Sequence, residues 1–352
     1  MVVPHNIYIH VPYCISKCNY CAFFSSACAT PNWELYENNI IEEIKYWAQK
    51  LGKISVPTIF FGGGTPSLMP TKTFDKIIST INSALSINND CEITLEANPG
   101  TINEDKLSEF INAGANRLSI GVQSLNDEKL KFLGRRHDTK TALNIISIAQ
   151  KKNIRLSADF IYGLPNETVE DVIQTCKDIN SLDLEHCSMY ELTIEQDTPF
   201  GRMNLKMPSN EEMADMYSAI SEHLKLPRYE VSNYAAIGEE CKHNLNIWDG
   251  APYIGIGQGA AGRIFIDNQW YEQLGNNEKF EKLSNTARAE ERVITGLRQT
   301  RGVYLDSDVE KIINMQYVLR NPDLLQKTPD NRISATEKGM LILDDLILNL
   351  MR

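Results

Sequence analysis

Between residues 6 and 235 short apolar runs alternate with longer stretches whose apolar positions recur at helical spacing. The short runs at 6–11, 57–62, 92–98, 117–122, 155–163 and 186–193 predict strands, and a further strand is expected at 228–234. Amphipathic stretches at 33–51, 73–85, 104–113, 139–151 and 167–181 predict the helices between them. Repeated right-handed βα crossovers build a parallel sheet that curls. The expected fold class is therefore α/β, a partial (β/α)6 TIM-like barrel over residues 1–235. Residues 236–286, rich in Gly, Asn and aromatics from 242 to 266, read as an irregular bridge. Helical patterns and a short strand at 331–334 make 287–352 a small C-terminal α+β domain of winged-helix-like shape.

In barrels of this type the active site is built where the strands end. The chemistry-bearing residues cluster there: Cys14 after the first strand, Gly62-Gly63-Gly64-Thr65-Pro66 after the second, Glu96 ending the third, Gln123 after the fourth and Asp159 within the fifth. Cys14, Cys18 and Cys21 crowd three thiols into eight residues. Thiolates ligate iron–sulfur clusters and structural zinc. A zinc site wants a fourth ligand, here Cys28 or His10, and a four-thiolate cluster completed by Cys28 would be an electron carrier. Three thiolates on a cubane instead leave one iron open to a small molecule. Cys28, Cys91, Cys176, Cys187 and Cys241, taken singly, read as small buried hydrophobes.

Composition narrows the partners. With 35 Lys and Arg against 46 Asp and Glu the net charge is -11, which disfavours nucleic acid and anionic membrane surfaces. The C-terminal segment from 287 carries no basic surplus to hold DNA. No apolar run is long enough to cross a bilayer. No presequence is apparent, and crowded thiols without a disulfide framework suit a reducing compartment, so a cytoplasmic location is expected.

The C-x3-C-x2-C spacing with Tyr20 before Cys21 resembles the signature of radical S-adenosylmethionine proteins. The runs Tyr8-Ile9-His10-Val11-Pro12-Tyr13-Cys14, Gly62 to Pro66 and Asp159-Phe160-Ile161-Tyr162-Gly163-Leu164-Pro165 are similar to the branch containing anaerobic coproporphyrinogen III oxidase. The resemblance implies a [4Fe–4S] cluster on Cys14, Cys18 and Cys21 with S-adenosylmethionine at its open iron. It further implies Tyr8 along the adenine, and Gly63, Gly64 and Thr65 at the amino-acid end. Glu96 and Gln123 would take ribose and amino-group contacts, Arg135 the carboxylate, Asp159 a hydroxyl, and Thr193 a place on the lining.

Within that branch the oxidase follows its third cluster Cys with Gly and Cys, where this chain has Ala22 and Phe23. The oxidase also has a longer arm before the motif. The chain looks more like the shorter heme chaperone group, whose His-Asn-x-x-Tyr-Trp motif stands here as His243-Asn244-Leu245-Asn246-Ile247-Trp248. That resemblance implies heme as ligand, His243 as its axial partner with Cys241 as competitor, a heme-acceptor protein, and a flavodoxin or ferredoxin as electron donor. The alternative it leaves open is a radical enzyme acting on coproporphyrinogen III in porphyrin biosynthesis.

Overall fold

The computed structural model describes residues 3–274 and 280–351. Eleven strands form one open sheet: β1 (Asn6–Val11), β2 (Ser55–Gly63), β3 (Ser86–Ala97), β4 (Arg117–Gln123), β5 (Arg155–Tyr162), β6 (His186–Glu191), β7 (Asn233–Ala235), β8 (Tyr253–Ile256), β9 (Gly262–Ile266), β10 (Gln269–Gln273) and β11 (Phe280–Leu283). Their order is β11-β10-β9-β8-β1-β2-β3-β4-β5-β6-β7. Strands β1 to β6 follow one another in parallel, as six βα units require.

Alternation along these strands decides which face does what. Ile7, Ile9 and Val11, then Ile59 and Phe61, Leu118, Ile120 and Val122, Ala158 and Phe160 point to one face and are buried in the main core. Helices α1 (Trp33–Leu51), α2 (Thr71–Ala84), α3 (Glu104–Asn112), α4 (Asp127–Phe132), α5 (Thr139–Lys151), α6 (Val169–Ser181) and α7 (Asn210–His223) lie between the strands in sequence. Several cover that face with Trp47, Phe74, Phe110, Ile145 and Ile179. The intervening residues give the other face: Asn6, Tyr8 and His10, Thr58, Glu92, Thr94 and Glu96, Arg117 and Ser119, Ser157 and Asp159, His186 and Ser188. Parallel strands are ordinarily apolar on both faces; here one face is mostly polar, with Phe60 set between Tyr8 and His243.

The segment read as an irregular bridge is regular. Residues 242–266 hold α8 (Lys242–Trp248), β8 and β9, and β8 pairs in parallel with β1. The glycines that suggested a loop allow close approach instead. A Cβ on Gly255 would lie 2.3 Å from the Ala261 carbonyl oxygen, and one on Gly262 would lie 2.8 Å from that of Tyr253. The strand expected at 228–234 shrinks to β7, preceded by an isolated bridge between Arg228 and Tyr234.

Beyond α9 (Asn285–Gly296), a three-stranded sheet of Val303–Tyr304, Arg332–Ala335 and Leu325–Lys327 and four short helices enclose a second core of Val293, Leu297, Ile313, Ile333 and Leu346.

Helix α8 closes one end of the polar face. The Glu92 carboxylate accepts from the backbone N–H of Lys242 at 3.2 Å and of His243 at 2.9 Å, and from the Arg155 guanidinium at 2.7 Å. Asn246 donates to the Asn6 side-chain oxygen at 2.9 Å. Arg155 keeps its second pair, with Glu239 at 2.8 Å, so the loss of Glu92 falls on the α8 backbone N–H groups left without an acceptor. Glu92→Ala is therefore expected to lower unfolding stability by about 1–3 kcal/mol, measured by urea denaturation, whereas Glu37→Ala, which breaks an exposed pair with Lys76, should cost about 1 kcal/mol or less.

Candidate functional site

At the other end of the polar face the loop after β1 turns back over the sheet. Gly64 N–H donates to the Val11 carbonyl at 2.7 Å and Thr65 N–H to the Tyr13 carbonyl at 2.8 Å, so the glycine turn is laced to the cysteine loop. Only glycine permits this lacing: a Cβ on Gly64 would sit 2.6 Å from the Tyr13 oxygen, and Gly63 has φ +107°. Asn19 fixes the far side, donating through its amide to the Phe132 carbonyl at 2.8 Å.

These contacts enclose a cavity of about 400 Å³ lined by Cys14, Cys18 and Cys21, by Gly63, Gly64 and Thr65, and by Glu96, Gln123, Arg135, Asp159 and Thr193. Eleven of the thirteen residues expected at the site thus meet on one lining. Tyr8 and His243 are the two that do not.

Tyr8 lies under the lining. Its hydroxyl meets His10 Nδ1 at 3.1 Å, and a Cβ on Gly62 would be 3.0 Å from its ring and 3.2 Å from Glu96 Oε2. His10 Nε2 is 2.7 Å from the Phe24 carbonyl. A carbonyl only accepts, so the proton sits on Nε2 and Nδ1 accepts from Tyr8.

His243 is at the opposite end of the polar face. It is 3% exposed, its Nδ1 is 2.7 Å from Thr58 Oγ1, and its ring packs on Phe60 with centroids 5.0 Å apart. Burial lowers its pKa to about 3, so the imidazole is neutral. Its Nε2 is buried without a hydrogen-bond partner. The residue expected as a heme ligand is thus a buried side chain turned inward, with its Nε2 unpaired.

The three cysteines are free thiols and half-buried. A chain of side chains links two of them: Thr65 Oγ1 donates to Cys14 Sγ at 3.5 Å, Asn98 to Thr65 Oγ1 at 2.9 Å, and Arg135 both to Asn98 and, at 3.4 Å, to Cys18 Sγ. Burial raises the Cys21 thiol. Cys28, a possible fourth ligand, is off this lining, and it is only half-buried rather than the buried hydrophobe expected. Among the described residues no three His, Cys, Asp or Glu side chains gather tightly enough for a single metal ion. A cubane does not need them to, because its cysteines bind separate irons.

Glu96 and Asp159 bring two half-buried carboxyl groups to the floor. Burial, reinforced by Asp159, raises Glu96 from 4.5 to about 8. Burial also raises Asp159, opposed by hydroxyl donors from Ser188 at 2.7 Å and Ser119 at 3.0 Å. Such a floor suits a ligand bearing ammonium and hydroxyl groups, which would restore the charged carboxylates. Three thiols, a glycine turn with backbone at the surface and this acidic floor fit a cluster with an amino-acid-bearing cofactor beside it.

Asn98, Asn19 and Tyr190 escaped the sequence reading. Asn98 directly follows β3 and Tyr190 is near the end of β6, so strand-end position was the available signal.

Residues 8–179 match the Radical SAM superfamily, which establishes the class. The heme chaperone HemW of Haemophilus influenzae is 31% identical over 98% of this chain and 97% of its own length. That of Escherichia coli is 37% identical over 74% of this chain and 70% of its own. The solved coproporphyrinogen III oxidase HemN of Escherichia coli superposes with a TM-score of 0.81 at 19% identity, covering 98% of this chain and 89% of that one. Within the radical SAM class, the chain belongs to the heme chaperone HemW family.

A raised Glu96 sets a direction for pH. The folded state holds a proton that the unfolded state releases above about pH 4.5, so the stability that Glu96 allows at low pH is lost as pH rises towards about 8. Glu96→Gln is expected to gain on the unsubstituted protein across that window, by at most about 1.4 kcal/mol per pH unit. Urea midpoints at pH 5 and pH 8 check this, and equal differences at both would refute it.

Proposed function

We propose that this protein is a heme chaperone that takes up heme and passes it to an acceptor protein, and that Cys14, Cys18 and Cys21 hold its [4Fe–4S] cluster with S-adenosylmethionine alongside. The observation that carries the reading is the end-to-end likeness to the Haemophilus influenzae heme chaperone HemW. The cavity supports the cluster assignment, since three free thiols reach its lining and Cys28 does not.

Thr65 and the backbone of Gly63 and Gly64 would hold the amino-acid end of the cofactor. Glu96 and Gln123 would take its amino and ribose groups, Asp159 a hydroxyl, and Thr193 the rim. Arg135, already donating to Cys18 and Asn98, would meet the carboxylate with its fork and hold the loop in place at once. Tyr8 would support the adenine from beneath through Glu96 and the Gly62 turn. When bound, cluster and cofactor together supply one-electron reduction of a sulfonium; these residues orient that pair and keep water out.

Exposed Phe23, Phe24 and Ile15 place the cysteine loop at the surface, which suits delivery of electrons by a flavodoxin or ferredoxin. Among the described residues no helix is long and apolar enough to cross a membrane. We infer that it acts in the cytoplasm, a reducing compartment in which Cys14, Cys18 and Cys21 would stay available to a cluster.

Two measurements test the reading. Anaerobic reconstitution with iron and sulfide should yield a reduced [4Fe–4S] EPR signal that shifts on adding S-adenosylmethionine and vanishes in Cys18→Ala. Titration with hemin should give a stoichiometric Soret shift. A protein that binds no heme and decarboxylates coproporphyrinogen III is instead an oxidase.

A further inference from the structure

Two more cavities open beside the cluster pocket, where the main sheet ends and the C-terminal unit begins. The smaller, about 310 Å³, is lined by Tyr190, Asn244, Ile247 and Trp248. The larger, about 760 Å³, is lined by Tyr162, Met213, Tyr217 and 341–343. Val231, Ser232 and Arg298 line both. Tyr190 also lines the cluster pocket, as does Glu191 from the larger cavity. The three spaces therefore meet around the end of β6.

We infer that the heme of the chaperone reading occupies these paired cavities, with Arg298 holding a propionate carboxylate and the Trp248 ring against the macrocycle. The inference rests on that reading and gives it a place.

Three observations carry it. Both volumes lie within the about 300–1,000 Å³ of small-molecule sites, and the walls set Tyr162, Tyr190, Met213, Ile247, Trp248 and Leu341 among polar and acidic side chains.

Arg298 is the one cation on either lining among the described residues. It is paired at 3.2 Å with Asp344, whose side chain is 84% exposed. An ion pair so open to water is weakly held, so Asp344 occupies the guanidinium without blocking it. A propionate would take its place and could be gripped by the planar fork. The remaining lining charges, Glu191, Glu211, Glu230, Asp344 and Asp345, are acidic, which directs the anionic edge of the heme to Arg298.

Finally, α8 divides its residues between two faces. His243 and Asn246 bond inward to Thr58 and Asn6, while Asn244, Ile247 and Trp248 line the smaller cavity. The same short helix can thus contact heme without surrendering His243.

The experiment is a hemin titration of the full chain, followed by the Soret band and by tryptophan quenching, in the unsubstituted protein and in Arg298→Glu, Trp248→Phe, Asp344→Asn and His243→Ala. Arg298→Glu should weaken binding about ten- to hundredfold, the loss of a charged hydrogen-bonded contact, and Trp248→Phe severalfold. Asp344→Asn, at an exposed position, should tighten binding severalfold by freeing Arg298, a gain that misfolding cannot mimic. Unsubstituted protein that binds heme with an affinity unchanged in all three variants overturns this site alone. Binding lost only in His243→Ala does the same and moves heme to the barrel floor. No binding by the unsubstituted protein overturns the chaperone reading and the site with it.

Discussion

Six parallel strands that are polar on one face impose a constraint which the rest of the molecule answers. Helices cover the apolar face with Trp47, Phe74 and Phe110, as in any α/β sheet. The inner face carries Glu92, Arg117, Asp159, His186 and Glu96, for which burial without partners is costly. Each end solves this differently. At one end Glu92 gathers two backbone N–H groups of α8 and the Arg155 guanidinium, so protein closes the sheet. At the other end Glu96 and Asp159 keep raised pKa values, and the unmet demand for positive charge and donors is left for a cofactor.

That division lets the cysteine loop be held by backbone contacts together with the side chains of Asn19 and His10. The Gly62–Gly64 turn brings main-chain donors to the Val11 and Tyr13 carbonyls, while the side chains of Thr65, Asn98 and Arg135 are directed at sulfur. The loop is fixed before any ligand arrives, and the energy of ligand binding need not be spent on ordering it.

Strands β1 to β6 were legible because each is a short apolar run between helical stretches, and the bounds of α1 and α5 fell where the spacing put them. The cysteine motif and its partners were legible because they sit at strand ends in chain order. What escaped was the meaning of a two-residue period. The polar residues of β1 to β6 were noted one by one at the strand tips, yet Asn6, Thr58 and Glu92 continue the same face to its far end. Strands β8 and β9 escaped because the glycines that let their backbones approach others look, in sequence, like a loop. The inward orientation of His243 was not legible for a related reason. A seven-residue helix is too short to show periodicity, so which of its residues face inward depends on Thr58 and Asn6, nearly two hundred positions and more away.

The end of β6 is where these features become one device. Alternation sends Ser188 inward to Asp159 and carries Tyr190 onto the wall of the cluster pocket, while Glu191, next in line, reaches the larger cavity as well. Strand β7 pairs with β6 only at His186, Cys187 and Ser188, so Tyr190 and Glu191 lie past the last paired residue on that edge. A ligand seated against Arg298 and one seated against Glu96 would therefore share Tyr190 and Glu191 as a common partition. Shared contact is not by itself coupling; what the chain provides is that the last two residues of β6 border both spaces.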